Sequence, residues 1–186
     1  VETVFTASTH DNILFFTSQG RVYLKKGYRI PEAGRAARGS NIVNIIPVEP
    51  GEKVSAMIAA RGLAEDSYLM FVTRNGTVKR MEQSELKNIR RTGIRALTLD
   101  EGDELISVLQ TSGDENILIA SRDGMAVCFN ENDVRPMGRS ATGVRGIRLR
   151  EGDFVVGAES TAAGEKLLTI TENGYGKRTP MEQYLR

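Results

Sequence analysis

Gly138-Arg-Ser-Ala-Thr-Gly-Val-Arg-Gly-Ile-Arg-Leu-Arg-Glu-Gly-Asp153 reads as a basic loop, a short strand and a tight acidic turn. The stretch is not unique in the chain. It returns as Asn88-Ile-Arg-Arg-Thr-Gly-Ile-Arg-Ala-Leu-Thr-Leu-Asp-Glu-Gly-Asp103. A looser copy runs Gly34-Arg-Ala-Ala-Arg-Gly-Ser-Asn-Ile-Val-Asn-Ile-Ile46 and then reaches Glu49-Pro-Gly-Glu52. Aligning Gly39, Gly93 and Gly143 matches Val43, Leu97 and Ile147, and two residues on Ile45, Leu99 and Leu149. Alternation at period two predicts a strand that turns these residues to a core. The turns Gly51-Glu52, Gly102-Asp103 and Gly152-Asp153 follow. Next come Val54 to Ile58, Leu105 to Leu109 and Phe154 to Gly157, each expected to open the next unit.

Four glycine turns set the period: Gly20, Gly76, Gly124 and Gly174, spaced 56, 48 and 50 residues apart. Three are Asn-Gly or Asp-Gly, which suit tight hairpins. Each joins an apolar run to a second strand: Ile13–Thr17 with Arg21–Lys25, Tyr68–Thr73 with Thr77–Met81, Ile117–Ser121 with Met125–Phe129, and Lys166–Thr171 with Tyr175–Arg178. Four short strands in about 50 residues indicate a propeller-like array. The fold class expected is therefore all-β: four-stranded blades in an incomplete arc of three to four. Its units span approximately 1–50, 51–102, 103–152 and 153–186, the last incomplete. Residues 81–90, 130–134 and 180–184 are expected to hold short turns, not helices. With no initiator Met at Val1, the chain reads as a fragment of a longer protein.

The formal charge is only +1, but it is arranged in blocks. Gly20–Asn44 has six bases against one acid, Gly76–Leu99 six against two, Gly124–Arg150 five against two and Gly174–Arg186 three against one. Between them, Asp100–Asp123 has one base against seven acids and Glu151–Asn173 one against five. Stacked repeats superpose equivalent segments, so basic blocks share one zone and acidic blocks another. One cysteine leaves no internal disulfide and fits a reducing, cytosolic setting. One histidine, His10, argues against a His-based metal site or triad. No apolar run approaches the ~20 residues of a membrane span.

Thr142-Gly-Val-Arg-Gly-Ile-Arg-Leu149 with Glu151-Gly-Asp153, then Thr171-Glu-Asn-Gly-Tyr-Gly-Lys-Arg-Thr179, closely resembles the C-terminal domains of bacterial DNA gyrase A subunits. Gly20-Arg-Val-Tyr23, Pro31-Glu-Ala33, Ala37-Arg-Gly39 and Ile42-Val-Asn44 extend the resemblance over the whole chain. It implies a β-pinwheel, in which a blade's last strand is lent to its neighbour and DNA wraps a positive rim. It implies no catalysis by this chain. In such a type II topoisomerase the cleavage tyrosine lies in an N-terminal domain, so neither Tyr175 nor Tyr184 is that nucleophile. ATP and magnesium are used by other domains or by the gyrase B protein, leaving no cofactor here. The partners implied are double-stranded DNA, the gyrase B protein and a second gyrase A chain, in a bacterial cytoplasm close to the nucleoid. A box of the form Gln-Arg-Arg-Gly-Gly-Lys-Gly is absent. Gly34-Arg-Ala-Ala-Arg-Gly-Ser40 keeps only part of it, and the box is expected upstream of Val1. The corresponding chain of topoisomerase IV carries a related pinwheel and stands as the alternative. A propeller-like protein-interaction scaffold is the rival from another class, and an enzymatic propeller the weakest.

Bending a duplex round a small domain needs a phosphate contact at each step of an arc, not base readout. The first candidates are Arg35 and Arg38, Arg90 and Arg91, and Arg135 and Arg139, in equivalent loops. The second are Arg21, Lys25 and Lys26, then Lys79 and Arg80, then Lys177 and Arg178, on hairpin strands. Each alone reads equally well as a solvated charge; the recurrence carries the reading. Arg95 and Arg145 share the parity of core positions and rank lower. The acidic turns read as turns, not metal ligands. Cys128 reads as packing, and His10 as a surface loop residue.

Overall fold

The computed structural model describes residues 6–60, 66–161, 166–170, 173–180 and 183. Regular structure there is β-strand and short 3-10 turns. The strands are β1 (Asn12–Thr17), β2 (Arg21–Lys26), β3 (Val54–Ala60), β4 (Tyr68–Thr73), β5 (Thr77–Glu82), β6 (Ile94–Arg95) and β7 (Leu105–Thr111). They continue with β8 (Asn116–Ser121), β9 (Ala126–Asn130), β10 (Val144–Arg145), β11 (Val155–Thr161), β12 (Lys166–Ile170) and β13 (Gly176–Pro180). The sheets run β3-β1-β2-β6, β7-β4-β5-β10, β11-β8-β9 and β12-β13.

All four expected hairpins form, and every strand pairing is antiparallel. The short strands before the Gly102 and Gly152 turns are lent backwards: β6 pairs with β2, and β10 with β5. The Gly20 carbonyl accepts from the amides of Ala96 and Leu97, and the Gly76 carbonyl from those of Gly146 and Ile147. Successive repeats are thereby stitched through one carbonyl at the Gly20 and Gly76 turns.

Two expectations need correction. Val54, Leu105 and Val155 lie in strands that do not open the next unit. β3, β7 and β11 instead pair with β1, β4 and β8 of the hairpin before them. The reason is that β1, β4 and β8 each need a partner on the edge that the hairpin leaves open. Also, Val43 and Ile45 are not in a core-facing strand. Ile42–Asn44 is a 3-10 turn capped by the Asn41 side chain, and Val43 is 54 % exposed. Leu97 and Ile147 are buried as expected. They reach a preceding hairpin; among the described residues none precedes β1 for Val43 to join. Of the expected short turns, Gln83–Leu86 and Glu131–Asp133 form, while 180–184 lies largely outside the described residues. Cys128 is buried and His10 is on the surface.

The central strands β1, β4 and β8 bury both faces. Leu14 and Phe16 of β1 pack with Leu69 and Phe71 of β4, the Phe16 and Phe71 rings meeting edge-on at 5.6 Å. Met70 and Val72 face the other way, onto Ile117 and Ile119 of β8. Burial on both faces explains why β4 reads as an unbroken apolar run. The third face, Ile13, Phe15 and Tyr23, is covered by Ile46 with Ile30, Ile42 and Ile45 from the chain's own loop. Along the inner edge, β3 and β11 both lie against β7. Ser55 Oγ donates to Leu105 O at 2.6 Å there.

Candidate nucleic-acid interface

The basic candidates separate into an interior set and a surface set. Lys79 is 0 % and Arg80 4 % exposed, so neither can serve as a phosphate contact in this fold. Lys79 Nζ donates to Ala96 O at 2.6 Å and Arg139 O at 3.0 Å and lies 5.7 Å from the Phe71 ring centre. Burial, reinforced by the nearby Arg139 charge, lowers its pKa to about 8. Arg80 lies over the Tyr68 ring at 4.0 Å and pairs with Glu131 at 3.2 Å. It also donates to Asn132 Oδ1, Val134 O and Gly113 O. Glu131 in turn accepts from Thr111 Oγ1 and the Glu115 amide, both at 2.8 Å. These two bases knit repeats together. Facing strands within a stacked blade put β5 side chains against its neighbours, which the charge of a residue alone does not reveal.

Arg35, Arg38, Arg90, Arg91, Arg135 and Arg139 are all exposed, as are Lys177 and Arg178; Arg21, Lys25 and Lys26 are half-buried on β2. The register of β2 and β6 sets Arg21 directly opposite Arg95. Arg21 Nη2 is held by Thr92 O at 2.6 Å. Arg139 joins them in an open concavity of about 780 Å³, with Gln19, Gly93 and Ser140 and a single acid, Glu85, on its wall. Like charges opposite each other on a sheet are unfavourable, and an anion between them reverses the sign. A second concavity on the same sheet unites Lys25, Lys26 and Arg91 with Arg29. A third, one repeat on, carries Arg145 and Arg148 beside β9. Arg35, Arg38, Arg90 and Arg135 line none of these three.

Arg95 and Arg145 share the parity of Leu97 and Ile147, which points them to the core, yet both side chains are exposed. Parity fails because the lent strand is two residues long. The next two amides then share one acceptor, so the ladder stops and the chain bends. Arg29 and Arg148 give no signal beyond their basic blocks.

The acidic turns are used within the fold. Asp103 Oδ1 accepts from the amides of Asn75 and Glu104, and Asp153 Oδ1 from those of Asp123 and Phe154. Each carboxylate thus caps the neighbouring hairpin turn. For Asp153, burial pushes the pKa up, but hydrogen bonds from Ser121, Asp123 and Phe154 outweigh it and hold the group low. Glu52, at the equivalent turn, is 6 % exposed, and its carboxylate makes no hydrogen bond within 3.5 Å among the described residues. Burial raises its pKa, with Arg21 opposing. Among the described residues no group of three or more His, Cys, Asp or Glu is placed to hold a metal.

A family model described as the DNA gyrase C-terminal domain, beta-propeller, matches residues 11–61, 67–112, 115–162 and 165–185. Its first three segments each keep a hairpin with the inner strand that follows, the same grouping as the sheets. The DNA gyrase A protein of Staphylococcus aureus is 49 % identical over 187 residues, which is 99 % of this chain and 21 % of that protein. The chain therefore spans about a fifth of that relative. The crystal structure of the C-terminal domain of DNA topoisomerase IV superposes with a TM-score of 0.82 at 29 % identity, over 94 % of this chain and 55 % of that one. A DNA gyrase A C-terminal domain superposes with a TM-score of 0.79 at 31 % identity, over 96 % of this chain and 57 % of that one.

Proposed function

The chain belongs to the DNA gyrase C-terminal domain family, and from that premise we propose that it binds duplex DNA through phosphates and bends it along its arc. The observation that carries this reading is the Arg21–Arg95–Arg139 concavity, with its counterpart around Arg145 and Arg148 one repeat on. Smooth bending of 20–30 bp through 40–90° costs on the order of 1–6 kcal/mol. Phosphate contacts that recur at each blade offset this cost along the whole curved path, without reading sequence. Arg35, Arg38, Arg90, Arg91 and Arg135 extend the contact path on the exposed loops, with Lys25 and Lys26 beside them.

In the longer protein the role is to lead a DNA segment back over the cleavage gate with fixed hand, so that strand passage by the type II topoisomerase introduces negative supercoils. ATP and magnesium would be handled by other domains or by the gyrase B protein, and a second gyrase A chain would complete the enzyme in the bacterial cytoplasm. A topoisomerase IV component is the second reading, favoured by the fit to that enzyme's C-terminal domain. The higher identity to the gyrase A protein supports the first.

The test is duplex affinity against salt and length. Each phosphate contact contributes about −0.9 to the slope of log K against log salt. A slope of several units, with tighter binding to longer duplexes, is the expected result. Salt-insensitive binding, or none at low salt, overturns the proposal. Supercoiling by the whole enzyme then separates a gyrase from a topoisomerase IV.

A further inference from the structure

Lys177 and Arg178 occupy the third and fourth places after Gly174, as Lys79 and Arg80 do after Gly76. The strand registers agree. Lys79 and Arg80 pair with Phe71 and Met70; Lys177 and Arg178 pair with Thr169 and Leu168. The environments differ. Lys79 and Arg80 are interior, whereas Lys177 and Arg178 are exposed.

What buries the first pair is traceable. Along the outer edge of β5, Val144 and Arg145 pair with Val78 and Thr77, Pro136 bridges to Arg80, and the Met137 amide donates to Arg80 O. The oxygens around the Arg80 guanidinium come from Gly113 to Val134, all in the following repeat. The outer edge of β13 carries no strand among the described residues.

A basic pair at this position is also not a general feature of the array. The other two hairpins have Tyr23-Leu24 and Val127-Cys128 there. A device for phosphates would recur at each step, as the loop arginines do. The pair stands at two of the four hairpins, and at Lys79 and Arg80 it forms a repeat junction built from ions and main-chain carbonyls.

We propose that Lys177 and Arg178 are joint residues of the assembled domain, covered by a further four-stranded blade of the same domain, and not DNA contacts. Lys177 donates to main-chain carbonyls of the covering loops, as Lys79 does. Arg178 takes carboxylate or carbonyl oxygens from the turn after the next hairpin, as Arg80 takes those of Glu131 and Val134. Length supports this occupant: the two solved domains it superposes on are covered by this chain over only 55 % and 57 % of their lengths. This reassigns two residues that sequence reasoning places on the DNA path. It does not depend on the DNA reading, because its first readout is stability.

The experiment compares Arg178→Ala, Lys177→Met and Arg139→Ala in the full-length protein by calorimetry and by salt-dependent duplex binding. A broken interior charge contact in a domain of this size lowers the midpoint by about 5–10 °C. Arg178→Ala is expected to do so, and Lys177→Met, which removes a buried charge while leaving carbonyls unpaired, to shift the midpoint by less; both keep an unchanged salt slope for the molecules that remain folded. In the isolated 186-residue chain the same substitutions shift the midpoint by no more than ~1 °C, because both residues are exposed surface there. Arg139→Ala serves as the contrast, with a shallower slope and an unchanged midpoint; its failure bears on the DNA reading alone. The inference is overturned if Arg178→Ala or Lys177→Met makes the slope shallower by about 0.9. It is equally overturned if neither substitution changes the midpoint of the full-length protein.

Discussion

Replacing Gly143 by alanine tests how the repeats are joined. Gly143 has φ +112°, and a Cβ there would run into the Val78 carbonyl oxygen, with the Val78 carbonyl carbon at 2.9 Å. Gly102 has φ +77° but open space around its would-be Cβ. Alanine at either site incurs the left-handed backbone cost of about 1 kcal/mol. Only at Gly143 must β10 also withdraw from β5. That weakens the bonds from the Gly146 and Ile147 amides to Gly76 O, 2.8 and 3.3 Å long. Hydrogen bonds contribute roughly 1 kcal/mol net each, and partly uncovering Ile147 adds another 1–2 kcal/mol or so. The expected loss is about 4 kcal/mol for Gly143→Ala against about 1 kcal/mol for Gly102→Ala. At 2–4 °C per kcal/mol, calorimetry should show midpoints lower by about 8–16 °C and 2–4 °C respectively. Amide exchange at Gly146 and Ile147 should quicken in the first variant only. Equal shifts in the two variants would refute the argument that close approach of the lent strand, and not backbone sign, makes Gly143 necessary.

Other outcomes follow from the same geometry. Glu131→Ala strands the Arg80 guanidinium and should cost about 3–5 kcal/mol; the double replacement Arg80→Met with Glu131→Met should cost less than the two single changes added, in a denaturant cycle. Arg95→Ala should flatten the salt dependence of duplex binding by about 0.9 while leaving the midpoint within ~1 °C, and Arg145→Ala should match it. Lys79 has a pKa lowered to about 8, so between about pH 8 and 10.5 the unfolded chain holds more of this proton than the folded one. Its burial penalty, about 3 kcal/mol below pH 8, is relieved as pH rises through that window; relative to Lys79→Met, the parent should gain stability between pH 7.5 and 10. Glu52 has a raised pKa, so its folded state binds the proton more readily and ionisation costs stability as pH rises. Glu52→Gln should therefore stabilise the protein at neutral pH, and the gain should fade as pH drops through the ordinary carboxylate range.

The degree to which the fold can be read depends on how local each determinant is. Gly76 and Gly124 mark hairpins because turn geometry is set by adjacent residues. Leu97 and Ile147 emerge as core positions from a repeat alignment, and both are buried. Val43 passes the same alignment and is exposed, because its burial needs a preceding hairpin that no local pattern supplies. The partner of β3 escapes sequence reading for a related reason: its apolar pattern fits either neighbouring hairpin, and only the open edge of β1 selects one.

The candidate site shows the same division. The amino-acid order alone determined the repeat, the hairpins, the all-β class and the alternation of basic and acidic blocks, since these rest on spacing and on neighbours in the chain. Tertiary structure decided which charges reach solvent. Lys79 and Arg80 look like two more basic rim residues until stacking brings Arg139 O and Glu131 to them. Arg95 looks like a core residue until its strand ends after two residues and leaves it opposite Arg21. A side chain's charge is written in the chain, but its solvation depends on what packs across it, and here that comes from residues some 50 positions away.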